Sequence, residues 1–202
     1  MSDSLNNALT IGPVDWTGEA MRRRLRSGRR QPLARACGLG RIEAPHILDA
    51  TAGYGRDAFV LAALGAEVTL CERLAPLAAS LAAGHAQALA NPATRDVAAR
   101  MTLAACDSRA LLQQRALVFD VIYLDPMYAA PGQKALAKAP MEALRHLTEG
   151  DPDAGELAGL AWEHAKRRVV IKRSPKAPTL LDRKPSFVLK SNRVRYDIYV
   201  RS

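Results

Sequence analysis

The 202-residue sequence predicts an α/β fold, a mainly parallel seven-stranded sheet with helices on both faces, a C-terminal antiparallel hairpin and a basic N-terminal arm. Three observations carry that expectation. From residue 46 onward, strand-like apolar runs alternate with helix-spaced segments, the pattern of consecutive βα units. A glycine turn, Gly53-Tyr54-Gly55, separates the first such run from the first helix after it, where α/β proteins bind nucleotide cofactors. The last two runs have little between them but Ser191-Asn192, which suits a hairpin and not a crossover.

The elements follow in order. Residues 1–45 hold Gly12, Pro13, Gly28, Pro32, Gly38, Gly40 and Pro45, breakers that leave room only for short helices near 18–26 and 31–37. The domain proper is expected over 46–202. His46 to Ala50 reads as a buried strand. Arg56 to Leu64 carries Phe59, Val60, Ala63 and Leu64 at helical spacing, and Gly65 ends it as a C-cap. Glu67 to Cys71 is the second strand, and Pro76 to Ala90 an alanine-rich helix closed by Asn91-Pro92. Met101 to Ala105 is the third strand. Phe119 to Leu124 is the fourth, with β-branched and aromatic content. Helices are expected over 134–147 and 154–165, then strands over 167–172, 186–190 and 194–200.

Composition bounds the function. No apolar run approaches the length needed to cross a bilayer. Polar residues Asp3, Asn6 and Asn7 stand where an export signal would need basic and apolar regions, so a soluble, cytoplasmic protein is expected. Cys37, Cys71 and Cys106 are odd in number and widely spaced, which fits reduced thiols. The four histidines share no ligand spacing with each other or with the cysteines, and no metal site is expected.

A net charge of +9 points to an anionic partner. Arg22, Arg23, Arg24, Arg26, Arg29 and Arg30 crowd one short segment, and guanidinium forks suit phosphate. Lys172 and Arg173 belong to a second cluster around the strand Val169-Val170-Ile171. Two such patches at the ends of one domain fit a long polyanion such as RNA; a solvated basic face is the alternative.

Around the glycines the cofactor candidates accumulate. Gly53 and Gly55 let a ligand approach the backbone, with Asp49 on the strand before them. A third glycine, which a dinucleotide fingerprint places near the helix N-terminus, is replaced by Asp57-Ala58, so a cofactor without a pyrophosphate fits better. Asp57 can serve the helix dipole or hold a cationic amino group. Glu72 ends the second strand about 20 residues on, where a carboxylate can accept from both ribose hydroxyls. Asp107, between Cys106 and Ser108, can receive an adenine amine or cap a helix. Together with the terminal hairpin, this pattern resembles Rossmann-like class I S-adenosylmethionine methyltransferases.

The fourth strand ends in Asp125-Pro126-Met127-Tyr128. An enzyme that methylates an exocyclic amine must align the nitrogen with the sulfonium methyl. Asp125 can accept from the amine hydrogens, Pro126 can direct a backbone carbonyl to the same nitrogen, and Tyr128 can stack on the base. The run resembles the Asp-Pro-Pro-Tyr signature of amino-methyltransferases, with Met127 for the second proline. Ring-carbon methylation would need a thiolate nucleophile, and no cysteine adjoins this strand end.

These residues together resemble the small-subunit ribosomal RNA guanine-N2 methyltransferases of the J type, from Val14-Asp15-Trp16 to Asp197-Ile198-Tyr199. The most specific matches are Asp49 to Phe59, Glu72-Arg73 and Tyr123 to Tyr128, followed by Lys172-Arg173 and Arg195 to Tyr199. The resemblance implies S-adenosylmethionine contacts at Arg56, Asp57, Glu72, Arg73, Cys106 to Ser108 and Asp125. It also implies methylation of a guanine amino group near the 3′ end of 16S ribosomal RNA, while the sequence leaves open whether naked RNA, a precursor particle or the assembled subunit is the substrate. The segment Arg26-Ser27-Gly28-Arg29-Arg30 keeps only one glycine of the family's glycine-rich stretch, and Gln133 to Lys138 lacks a serine and a lysine that the family has. These departures concern substrate docking. Two rivals stay open on sequence: transfer to another RNA or DNA amine, and a non-catalytic RNA-binding assembly factor of the same fold.

Overall fold

A computed structural model describes residues 11–114, 118–127 and 152–201. Two short helices, α1 (Glu19–Arg26) and α2 (Pro32–Cys37), flank a 3-10 turn, Gly28–Arg30. Then come β1 (His46–Asp49), α3 (Arg56–Ala63), β2 (Glu67–Cys71), α4 (Ala75–Ala90), α5 (Arg95–Ala98) and β3 (Met101–Ala104). The remainder is α6 (Ser108–Leu112), β4 (Phe119–Leu124), α7 (Ala154–His164), β5 (Ala165–Arg173), β6 (Phe187–Lys190) and β7 (Arg195–Val200). All seven expected strands are present. The helix expected over 134–147 lies outside the described residues.

The strands form one sheet in the order β3-β2-β1-β4-β5-β7-β6. Pairings from β3 through β5 are parallel, while β7 runs antiparallel to both β5 and β6. The hairpin is therefore real, and its second strand inserts between β5 and β6 instead of extending the edge. Strand order reverses between β1 and β4, so loops leaving their carboxyl ends diverge and open a crevice there.

Successive strand residues feed opposite faces of the sheet. Ile47 and Val121 join a core on one side with Phe59, Leu61 and Leu81, while Leu48, Ile122 and Leu124 join a core on the other with Leu157 and Tyr199. Near-continuous burial along β1 and β4 is what parallel strands covered on both faces require.

The segment before β1 is fastened to this body. Val14, Trp16, Met21 and Leu33 are buried in the first core. Trp16 stacks on Phe59 at 5.0 Å between ring centroids, and its Nε1 donates to Tyr54 O at 3.1 Å. Ser80 Oγ donates to Gly12 O at 2.6 Å, and Gly84 of α4 lies so close to Val14 that a Cβ there would stand 2.4 Å from the Val14 carbonyl oxygen. Neither α5, four residues long, nor α6, five, is placed by periodicity, since each is too short to show one; only a cap at Asp107 points to α6.

Candidate active site

The glycine turn needs its glycines for different reasons. Gly53 and Gly55 have φ of 54° and 64°, in the left-handed region that disfavours side chains. A Cβ on Gly55 would also stand 2.9 Å from Leu81 Cδ2 and 3.0 Å from Trp16 Cζ2, whereas Gly53 faces open space beyond the Thr51 carbonyl. Gly55 thus lets α3 pack against α4 and Trp16, and Gly53 leaves an open backbone at the cleft.

Glu72 holds that turn to the end of β2. Its two oxygens accept from Gly53 N–H at 2.9 Å and Leu74 N–H at 2.8 Å. Beside it, Cys71 donates to Cys106 O at 3.0 Å, with the two sulfurs 3.4 Å apart. Burial pushes the Cys71 thiol up to about 12. Ser108 Oγ donates to Ala50 O at 2.6 Å, which ties the start of α6 to the end of β1. Asp107 is the N-cap of α6, accepting from Arg109 N–H at 2.8 Å. The capping role left open in the sequence is therefore observed. Arg73 and Arg109 both reach Asp153, at 2.6 and 3.2 Å, and close this end of the cleft.

At the other end the charges interlock. Asp57, in the first turn of α3, accepts from Arg24 Nη2 at 2.5 Å, from the Tyr123 hydroxyl and from Lys172 Nζ at 3.2 Å. Burial alone would raise its carboxyl, but Lys172, Arg24 and Tyr123 outweigh burial and hold it below the usual carboxylate range. Lys172 Nζ also lies 2.6 Å from Asp125 Oδ2, while Asp125 N–H donates to Thr51 Oγ1 at 2.6 Å. Burial raises Asp125 above the usual range, opposed chiefly by Lys172. Asp49, fully enclosed beneath them, is raised well above that range by burial and then by Asp57.

These groups line one cleft of about 460 Å³, within the range of small-molecule sites. Asp49, Gly53, Arg56, Asp57, Glu72, Arg73, Asp107, Ser108, Asp125 and Pro126 all face it; Gly55 and Cys106 are not among its lining residues. Tyr128 lies outside the described residues. Arg22, Arg23, Arg29 and Arg30 are exposed, whereas Arg24 and Lys172 line the cleft and Arg173 is buried, donating to Pro178 O at 3.2 Å. The sequence reading missed Thr51, Tyr123, Arg109 and Asp153 as cleft residues. Position alone could have found Thr51 and Tyr123, which stand at the carboxyl ends of β1 and β4.

A family model described as "Putative SAM-dependent methyltransferase" matches residues 4–201. The ribosomal RNA small subunit methyltransferase J of Chromohalobacter salexigens is 44% identical over 193 residues, 93% of this chain and 75% of that protein. The protein of the same name from Agrobacterium fabrum is 45% identical over 193 residues, 93% of this chain and 91% of its own. The chain belongs to the ribosomal RNA small subunit methyltransferase J family. In structure it is similar to a SAM-dependent methyltransferase of Neisseria gonorrhoeae, with a TM-score of 0.72 and 31% identity over 93% of this chain and 74% of that one. As a family member it is an S-adenosylmethionine-dependent methyltransferase.

The cleft fits that cofactor. An open glycine backbone and a strand-end carboxylate at Glu72 stand at one wall, where a nucleoside sugar would lie. Paired acidic and basic side chains, Asp57 with Arg24 and Lys172, stand at the other and suit the zwitterionic end of an amino acid. Asp125 lies beside this second group, in contact with Lys172.

Proposed function

We propose that the protein transfers the methyl group of S-adenosylmethionine to the exocyclic N2 of a guanosine near the 3′ end of 16S ribosomal RNA, in the cytoplasm. The observation that carries this reading is the placement of Asp125, Pro126 and Lys172 at the carboxyl ends of β4 and β5, in the same cleft as the glycine turn and Glu72. The names of the relatives supply the RNA, and the strand-end motif supplies the amine.

Arg56, Asp57, Glu72, Arg73 and the Cys106 to Ser108 segment hold the cofactor, with Gly53 and Asp49 shaping the floor. Bound S-adenosylmethionine supplies an electrophilic methyl on a sulfonium. Asp125 would accept a hydrogen bond from the guanine amine and orient its nitrogen lone pair toward the methyl to be transferred, while Pro126 fixes the turn. Tyr128 stacks the base. Transfer would leave the cofactor as a neutral thioether, and the methylated nitrogen would pass its extra proton along the hydrogen bond to Asp125 and from there to solvent. Most of the acceleration comes from alignment, because the sulfonium is already activated. Arg22, Arg23, Arg29 and Arg30, all exposed on one segment, neutralise RNA phosphates. Arg24, Lys172 and Arg173, grouped with them by composition, act inside the protein.

The test is transfer of labelled methyl to unmodified small subunits and to their extracted RNA. Incorporation into 16S RNA that is lost in Asp125→Ala supports the reading. Cofactor binding without transfer to either form of RNA would favour the non-catalytic assembly factor.

A further inference from the structure

Asp125 is held by a chain of charged groups that begins on the first helix. Arg24 of α1 pairs with Asp57 of α3, Asp57 with Lys172 of β5, and Lys172 with Asp125 beyond β4. Lys172 is largely enclosed, its side chain 23% exposed. An ammonium shared between two carboxylates at 2.6 and 3.2 Å is already neutralised, and it lines the cleft.

The chemistry asks for such a group. To orient an amine, Asp125 must accept its hydrogens as a carboxylate. A protonated Asp125 would donate to the nitrogen and occupy the lone pair that attacks the methyl. Its surroundings favour protonation: besides its own burial, Asp57 on α3 repels a negative charge there, and Asp49 on β1 faces the same group. Tyr123 of β4 and Tyr196 of β7 also face this group of carboxylates. Among the described residues, Lys172 on β5 and Arg24 on α1 act on Asp125 in the opposite sense, and of these Lys172 is in contact.

We propose that Lys172 is a positioning residue for methyl transfer, anchored by Asp57 and Arg24, that keeps Asp125 ionised and turned toward the incoming amine. This rests on the reading of Asp125 as the group that orients the amine. Lys172 does not take the proton that the amine releases, since an ammonium has no lone pair to accept it.

The experiment compares full-length wild type, Lys172→Met and Lys172→Arg, with Lys172→Gln in reserve should the Met variant not fold. Carbon-13 NMR of labelled aspartate, with Asp125 assigned through Asp125→Asn, follows the carboxyl titration without any RNA. The midpoint of Asp125 moves to higher pH in Lys172→Met and returns toward wild type in Lys172→Arg. In methyl transfer, kcat falls about tenfold or more in Lys172→Met. The acidic limb of its kcat profile moves to higher pH, and KM for RNA stays unchanged. Lys172→Arg recovers most of the rate. An Asp125 midpoint that ignores the loss of the lysine charge overturns the proposal, as does a rise in KM for RNA with kcat intact. If wild type transfers no methyl to RNA, the functional reading fails, and the carboxyl titration still decides whether Lys172 governs Asp125.

Discussion

Arg24 and Asp57 are joined by an ion pair of 2.5 Å that crosses from the first helix to the start of α3, 33 residues later in the chain. Neighbouring arginines on the same short segment face outward, so one run of basic residues serves two purposes. Substitutions along it separate them. Arg22→Gln, Arg23→Gln, Arg29→Gln and Arg30→Gln each weaken RNA binding and lower the slope of log affinity against log salt by about 1 for every phosphate left without its guanidinium. Arg24→Gln leaves that slope nearly unchanged and lowers S-adenosylmethionine affinity, read by calorimetry without RNA.

Asp125→Ala lowers kcat by about 100-fold or more, because it removes the acceptor that aligns the amine. Cofactor binding survives within a few-fold. A calorimetric titration beside a turnover assay checks both halves.

Asp49 and Asp57 titrate in opposite directions, so their asparagine variants have opposite pH signatures. Asp49 is raised in the fold; its favourable contribution is present below the unfolded value near 3.8 and is lost as pH rises through the folded value. Asp49→Asn therefore raises Tm at pH 8 and changes little near pH 4. Asp57 is lowered; its contribution is present above the unfolded value and is lost as pH falls through the folded one. Asp57→Asn lowers Tm at pH 7, with the difference shrinking under acid. Thermal unfolding from pH 3.5 to 8 measures both, at about 2–4 °C per kcal/mol for a chain of this size.

Trp16→Ala removes the stack on Phe59 and the hydrogen bond to the Tyr54 carbonyl. The loss is about 3–5 kcal/mol in denaturant unfolding. Because Tyr54 lines the cleft beside Gly53, S-adenosylmethionine affinity falls as well. Gly55→Ala is destabilising for a separate reason, combining positive φ with contacts near 3 Å to Leu81 and Trp16.

Much of this was legible in the sequence because parallel strands covered on both faces must be nearly continuous in apolar residues. The edges of β2 and β4 fell on the expected residues, Glu67–Cys71 and Phe119–Leu124. The cofactor candidates were legible because glycine turns and strand-end acids sit at fixed offsets. What sequence could not convey is which basic residues turn inward. Arg24 is one of six arginines within nine positions, and only the approach of α1 to α3 makes it the partner of Asp57. Lys172 and Arg173 alternate on β5, so one enters the cleft and the other is buried toward Pro178. Composition reads them as one patch, and the pleat separates them.

The central claim is tested most directly by identifying the methylated nucleoside. Purified protein, labelled S-adenosylmethionine and small subunits lacking the modification are incubated, the 16S RNA is digested, and the nucleosides are resolved by mass spectrometry. The account predicts label in N2-methylguanosine, in one fragment near the 3′ end, at about one methyl per subunit. Label in a methylated adenosine or cytidine, or in a ring-carbon methyl, would contradict it.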